Sequence, residues 1–147
     1  MWKNFFDLIT FWDVIEHTYS PKENLKKAYS ILKPKGHLVV TTDNFESLIS
    51  YSAALFEKIT FGKFAYPIER FFIPHNTCYF KPGNFKTLIT DCGFLIKHFE
   101  KIDYPIEKIN LNGLEKVCVR ALYKIGDILN LNSQFVLICE KNNPDIE

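Results

Sequence analysis

Phe6-Asp7-Leu8-Ile9-Thr10-Phe11-Trp12-Asp13-Val14-Ile15-Glu16-His17 is the stretch on which the fold turns. Phe6–Trp12 is short, apolar and β-prone, which predicts a strand buried on both faces. Ser20-Pro21-Lys22-Glu23 then opens a helix, with Ser20 placed to cap, Pro21 suited to the first helical position and Glu23 completing a capping box. Leu25, Ala28, Tyr29 and Leu32 form one apolar stripe on that helix. Lys33-Pro34-Lys35-Gly36 stops it and turns the chain. His37–Thr42 follows as a second buried strand. In open α/β sheets, ligands sit beyond the carboxyl ends of the strands. Trp12-Asp13 and Asp43-Asn44 are two such ends, and together they mark a ligand rim.

Outward from this core the alternation continues. Asp43-Asn44 can cap a second helix whose stripe is Leu48, Ile49, Leu55, Phe56 and Ile59. Phe61–Tyr79 has no clear period but carries two prolines, several aromatics and a histidine, so residues 60–80 are expected to form a lid or substrate loop. Pro82 starts a third helix, with Phe85, Leu88, Ile89 and Cys92 on one face and Gly93 as its stop. Phe94–Ile102 mixes charged with apolar residues, as an edge strand does. Asn112-Gly113-Leu114-Glu115 can cap a fourth helix with the stripe Leu114, Val117, Cys118, Ala121, Leu122, Ile125 and Leu129. Gln134–Glu140 reads as a central strand and residues 141–147 as a polar tail. The sum is an α/β sheet with helices on its faces.

Composition narrows the function. With 147 residues, 47% hydrophobic and 24% charged, the chain suits one domain with one core. A net charge of +1 gives little attraction to nucleic acid or an anionic membrane. No apolar run approaches the roughly 20 residues a membrane span needs, and the start lacks the pattern of a signal peptide. Cys78, Cys92, Cys118 and Cys139 make no C-x-x-C pair, and the last three fall within apolar patterns. Buried free thiols in a reducing cytosol are therefore expected, and a cytoplasmic location with them. No group of His, Cys and carboxylates has ligand spacing, so no metal is expected.

The residues from Phe6 to Asn44 resemble the pattern around the fourth and fifth strands of class I methyltransferases. Phe6-Asp7-Leu8-Ile9, Glu16-His17, Leu32-Lys33-Pro34-Lys35-Gly36 and Thr41-Thr42-Asp43-Asn44 stand where that family has F-D-x-I, an E-H pair, L-K-P-G-G and T-x-P-N. Lys35 departs from the usual Gly and Asp43 from the frequent Pro. Tyr79-Phe80-Lys81-Pro82 and Cys92-Gly93-Phe94 resemble the family's next turn and its sixth strand's opening. The final strand is similar to the one that runs antiparallel between the fifth and sixth. The nearest likenesses are the ubiquinone-type O-methyltransferases and the methyltransferases of sugar and polyketide pathways.

The resemblance implies a partial Rossmann-like sheet, family strands four to seven, with S-adenosylmethionine as methyl donor and a small molecule as acceptor, O-methylation being favoured. It places Phe11, Trp12, Asp13 and His17 beside the cofactor. His17 is also the candidate base, since a neutral imidazole can take a proton from a hydroxyl nucleophile. Asn44, Arg70, His75, Asn76 and Tyr79 are the candidate substrate contacts. The family's G-x-G-x-G loop finds no counterpart among glycines 36, 62, 83, 93, 113 and 126, so residues 1–147 are expected to be one partial domain lacking the cofactor-binding half. The strand at Phe6–Trp12 would then present an open apolar edge that recruits a partner chain or a second copy. Two other readings stay open. One is a non-catalytic fragment that pairs with another chain, and the other is a different doubly wound nucleotide-binding domain.

Overall fold

The computed structural model describes residues 2–61, 76–109 and 111–142. Four strands form one sheet: β1 (Phe6–Trp12), β2 (Leu32–Asp43), β3 (Phe94–Ile102) and β4 (Gln134–Lys141), in the spatial order β1-β2-β4-β3. β1 runs parallel to β2, while β4 is antiparallel to both β2 and β3. The expected antiparallel last strand therefore lies inside the sheet and the expected edge strand β3 lies at its rim. Helices α1 (Pro21–Ile31), α2 (Leu48–Thr60), α3 (Pro82–Asp91) and α4 (Gly113–Ile128) follow in chain order.

The core lies between one face of the sheet and the pair α1 and α3. Leu38 and Val40 of β2 and Phe135, Leu137 and Cys139 of β4 point into it, with period two, and are fully buried. Leu25 and Ala28 come down from α1, and Phe85 and Ile89 from α3. The Phe85 ring packs 4.7 Å from Phe80 and 5.6 Å from Phe135, centroid to centroid, within the usual range for aromatic pairs. α2 and α4 pack against each other instead.

The loop near the start of β2 shows why glycine is preferred there. β2 begins at Leu32, earlier than expected, because Leu32 pairs with Phe6 before Lys33–Gly36 loop out and pairing resumes at Leu8 and His37. Gly36 lies so close to the chain that a Cβ would sit 2.9 Å from the Lys33 carbonyl oxygen and 3.3 Å from that of Asp7. Lys35 occupies left-handed backbone at φ 62°. That costs a side-chain-bearing residue about 1–2 kcal/mol, partly offset by the roughly 0.4–1 kcal/mol of chain entropy a glycine adds to the unfolded state. Lys35→Gly is expected to stabilise the fold by about 0.5–1 kcal/mol in urea unfolding. A loss of stability would show that the lysine side chain contributes more than its backbone costs.

Several expectations need correction. β1 is not buried on both faces: Leu8 is 54% and Trp12 59% exposed, and among the described residues no strand pairs with its outer edge. Ser20 makes no side-chain cap, since its ψ of 72° departs from the extended geometry capping requires. α2 is capped by Ser47, whose hydroxyl accepts from Ser50 N, while Asn44 folds its own Oδ1 onto Glu46 N. The Asn112–Glu115 capping box on α4 does form. The apolar stripe of α4 does not face the core. Leu114, Val117, Cys118, Ala121, Ile125 and Leu129 are exposed, and the helix instead buries Val119 and Gly126, where the Leu131 backbone crosses close by. Cys118 is accordingly exposed rather than buried. Lys141 is no part of a polar tail: it ends β4, buried, and donates to Asn4 Oδ1 and the Leu32 carbonyl. Residues 143–147 lie outside the described residues.

Candidate functional site

Parallel pairing of β1 with β2 brings their carboxyl ends to one side of the sheet. Trp12 stands opposite Thr41, and Asp13 N donates to both the carbonyl and the Oγ1 of Thr41 at 3.3 Å. Asp13 itself takes φ 50°, a left-handed conformation that Asp tolerates better than most residues, and so breaks the strand at its tip. The chain then closes a short 3₁₀ turn, Ile15–His17, that seats Ile15 and Glu16 in the interior. On the neighbouring strand Asp43 ends β2, and the buried Asn44 donates to the Asn132 carbonyl, fixing the exit toward α2.

A cavity of about 370 Å³ opens at this end of the sheet. Asp13, Glu16 and Asp43 supply its acidic wall. Phe45, Tyr79, Tyr104 and Tyr123 supply aromatic surface, and Asn76 and Gln134 line it between them. The amide of Gln134 bridges the two strand tips, its Nε2 donating to Asp13 Oδ1 at 2.9 Å and to Asp43 Oδ1 at 3.2 Å. Asn76 Nδ2 donates to the other oxygen of Asp43 at 3.1 Å. The segment carrying Asn76 is tied down at its far end. Thr77 N and Cys78 N both donate to the Glu16 carbonyl, and Phe45 N donates to the Phe80 carbonyl.

Burial sets the acid–base character of the wall. Glu16 is 1% exposed, and burial pushes its carboxyl up to about 7 from an ordinary 4.5, with the charges of Asp43 and Asp13 adding to the rise. Asp13 is raised for the same reason, burial first and Asp43 second, while the Gln134 bond opposes the rise. The Oε2 of Glu16, the Oγ1 of Thr42 and the Oδ1 of Asn76 are buried without a hydrogen-bond partner among the described residues.

Of the residues singled out in the sequence, Asp13, His17, Asn44, Asn76 and Tyr79 line this one cavity. His17 is exposed at its mouth. Asn44 has both ends of its amide engaged with backbone, so it shapes the wall. Phe11 faces a separate apolar hollow against α1, and Trp12 stands exposed on the open side of β1. Arg70 and His75 lie outside the described residues. Sequence reasoning passed over Glu16, Gln134, Tyr104 and Tyr123 as site residues and took Asp43 only as part of the ligand rim. A glutamine opening an otherwise apolar strand was the one local sign for Gln134. For Glu16 it was an acid inside a turn flanked by Val14 and Ile15.

Among the described residues no set of His, Cys, Asp and Glu is arranged to hold a metal ion, and no helix is long and apolar enough to cross a membrane.

Residues 3–98 match the methyltransferase domain family. No curated protein sequence matches the chain. Among solved structures, the fold resembles a methyltransferase of Haloferax volcanii seen in complex with a methyltransferase activator, at TM-score 0.62 and 11% identity, over 100% of this chain and 58% of that one. It resembles a S-adenosylmethionine-dependent methyltransferase of Thermotoga maritima at TM-score 0.60 and 18% identity, over 97% of this chain and 58% of that one. A methyltransferase of Bacillus halodurans gives TM-score 0.56 and 12% identity, over 97% of this chain and 73% of that one. The chain thus spans a little over half the length of two of these proteins and about three quarters of the third. With most of its length inside the family match and its sheet order the mixed one described above, the chain belongs to the methyltransferase domain family and has a partial Rossmann-like fold similar to that of the Thermotoga maritima protein.

Proposed function

We propose that this chain forms the acceptor side, and one wall of the donor side, of a cytoplasmic class I methyltransferase acting on a small molecule. The observation that carries the reading is the pair of adjacent strand tips, Trp12-Asp13 and Asp43-Asn44, with a polar and aromatic cavity beside them. When bound, S-adenosylmethionine supplies an electrophilic methyl group on a cationic sulfonium. The residues present fit that chemistry in part: Asp13 offers negative charge at the tip, and the exposed face of Trp12 offers a flat apolar wall. His17 at the cavity mouth is positioned to accept the proton that an acceptor sheds. The aromatic wall excludes water and orients the acceptor, which is where in-line displacement gains most. The expected lid at residues 60–80 lies for the most part, 62–75, outside the described residues; its described end is anchored through Thr77 and Phe80. The open edge of β1, with Phe6, Leu8 and Trp12 exposed, is where a further strand would pair, from another segment or another chain. The four unpaired thiols suit a reducing cytosol.

Titration of S-adenosylhomocysteine into isotope-labelled protein tests the donor side. The expected result is a set of amide shifts centred on Phe11–His17 and on the Trp12 indole, with a dissociation constant in the millimolar range, worth about 4 kcal/mol. Shifts confined to other parts of the sheet, or none at saturating ligand, would overturn the reading.

A further inference from the structure

The proposed methyl transfer leaves the charge of the cavity unexplained. Three carboxylates face it, and two of them are tied down: Asp13 and Asp43 by Gln134, and Asp43 also by Asn76. Glu16 differs. Its side chain is buried and lines the cavity, yet Oε2 has no partner among the described residues. The Glu16 backbone N–H and, less, the Thr42 hydroxyl donate toward this carboxyl and ease its ionisation, yet Oε2 itself meets no partner at bonding distance. Asn76 Oδ1 is a second buried acceptor without a donor. A buried polar atom left unmatched costs about 1–3 kcal/mol, and more when charged. Two unmatched acceptors on one cavity wall call for a ligand that brings donors.

The chemistry of the missing donor can be narrowed. A hydroxyl brings one O–H and no charge, whereas an ammonium brings several N–H donors and a positive charge. The wall already concentrates negative charge from β1, the 3₁₀ turn and β2. The basic residues among its described lining, His17 and Lys108, are both exposed at the rim. Facing the acids, the rings of Tyr79, Tyr104 and Tyr123 suit an apolar or aromatic body and also favour a cation.

We infer that the cavity binds an aliphatic ammonium attached to an apolar or aromatic body, held by Glu16 Oε2 and Asn76 Oδ1 within the field of Asp13 and Asp43. On the methyl-transfer reading this ligand is the acceptor, an amine rather than the alcohol favoured from the sequence, and its ammonium would first pass a proton to His17 so that the nitrogen lone pair is free to take the methyl group. The binding claim itself does not depend on that reading. Binding a cation favours ionised Glu16, so the amine drives a proton off. His17, Asp13, Asp43 and Lys108 also face this region, and the Glu16 variant below separates its proton from theirs.

The test is calorimetry with 2-phenylethylamine and its neutral counterpart 2-phenylethanol, in buffers of differing ionisation heat. The amine is expected to bind at least about tenfold more tightly than the alcohol, a difference of about 1.4 kcal/mol. With Glu16 titrating near 7, binding releases close to one proton at pH 6 and close to none at pH 8.5. Glu16→Gln removes that release and weakens the amine about tenfold at pH 8.5, leaving the alcohol unchanged. S-adenosylhomocysteine, which carries an ammonium of its own, should not displace the amine. Equal binding of amine and alcohol, no amine binding, or amine binding without proton release in the wild-type protein would each overturn the inference. Displacement by S-adenosylhomocysteine would overturn it too, by assigning the ammonium subsite to the donor. The donor titration at Phe11–His17 is read separately, so failure of one claim is not failure of the other.

Discussion

Glu16→Gln is expected to match the wild-type protein in stability at pH 4 and to exceed it by about 3 kcal/mol at pH 8. The folded state holds the Glu16 carboxyl at about 7, against 4.5 when unfolded. Below pH 4 both states keep the proton and the fold gains nothing from it. As pH rises from 4.5 toward 7, the unfolded chain ionises while the folded chain still holds its proton, so stability falls. Above 7 the loss is complete, at about 1.4 kcal/mol for each of the 2.5 units between the two values. Gln has nearly the same shape and no charge to desolvate, so it escapes the loss. Urea unfolding of both proteins at pH 4 and pH 8 reads the difference. Asp13 is also raised, but it is present in both proteins and cancels in the comparison. Parallel pH profiles would show that Glu16 reaches solvent in solution. A protein that retains such a cost at a cavity wall keeps it where a function needs the carboxylate.

The parts of this molecule that were readable in sequence share one property: they are set by neighbours along the chain. Pro82 and Gly93 bracket α3 because one suits a first helical turn and the other sits at φ 93°. Asn112 and Glu115 cap α4 across three residues. The two strand tips were readable because a buried strand that stops at Asp is a local pattern with a general consequence for ligands. The strand order needed family likeness, since periodicity alone does not say that β4 inserts between β2 and β3.

What was misread depended on what lies across from a residue. The apolar run of β1 looks the same whether or not a strand pairs with its outer edge, and among the described residues none does. The stripe of α4 has sound helical spacing, but Gly126 brings the helix in on a different side. Glu16 was visible as half of an E-H pair, but its place in the interior is held in part by Thr77, whose N–H and hydroxyl donate to the Glu16 carbonyl from some 60 residues away. Gln134 lies 121 residues from Asp13, and only the sheet's topology brings its amide between two carboxylates.

That bridge yields the second large effect. Gln134→Leu is expected to cost about 2–3 kcal/mol at pH 8 and about 1 kcal/mol at pH 4. Leu fills nearly the same volume at a site only 5% exposed, so packing changes little. What is lost is a donor shared by Asp13 Oδ1 and Asp43 Oδ1. Hydrogen bonds to charged groups contribute about 1.5–3 kcal/mol each. Both carboxylates are half-buried rather than sealed, so water recovers part of that sum. The Gln134 bond now opposes the rise in the Asp13 carboxyl, so its removal should raise that carboxyl further. At low pH Asp13 is protonated, its repulsion with Asp43 fades, and the cost shrinks with it. Urea unfolding at the two pH values, together with a carboxyl carbon NMR titration of Asp13, reads both consequences. An equal cost at pH 4 and pH 8 would mean that Gln134 serves only to fill space. If the cost tracks ionisation as expected, the same amide that holds β1 and β2 together at their tips also keeps two negative charges at a fixed spacing on the cavity wall, which is the arrangement a cationic ligand would meet.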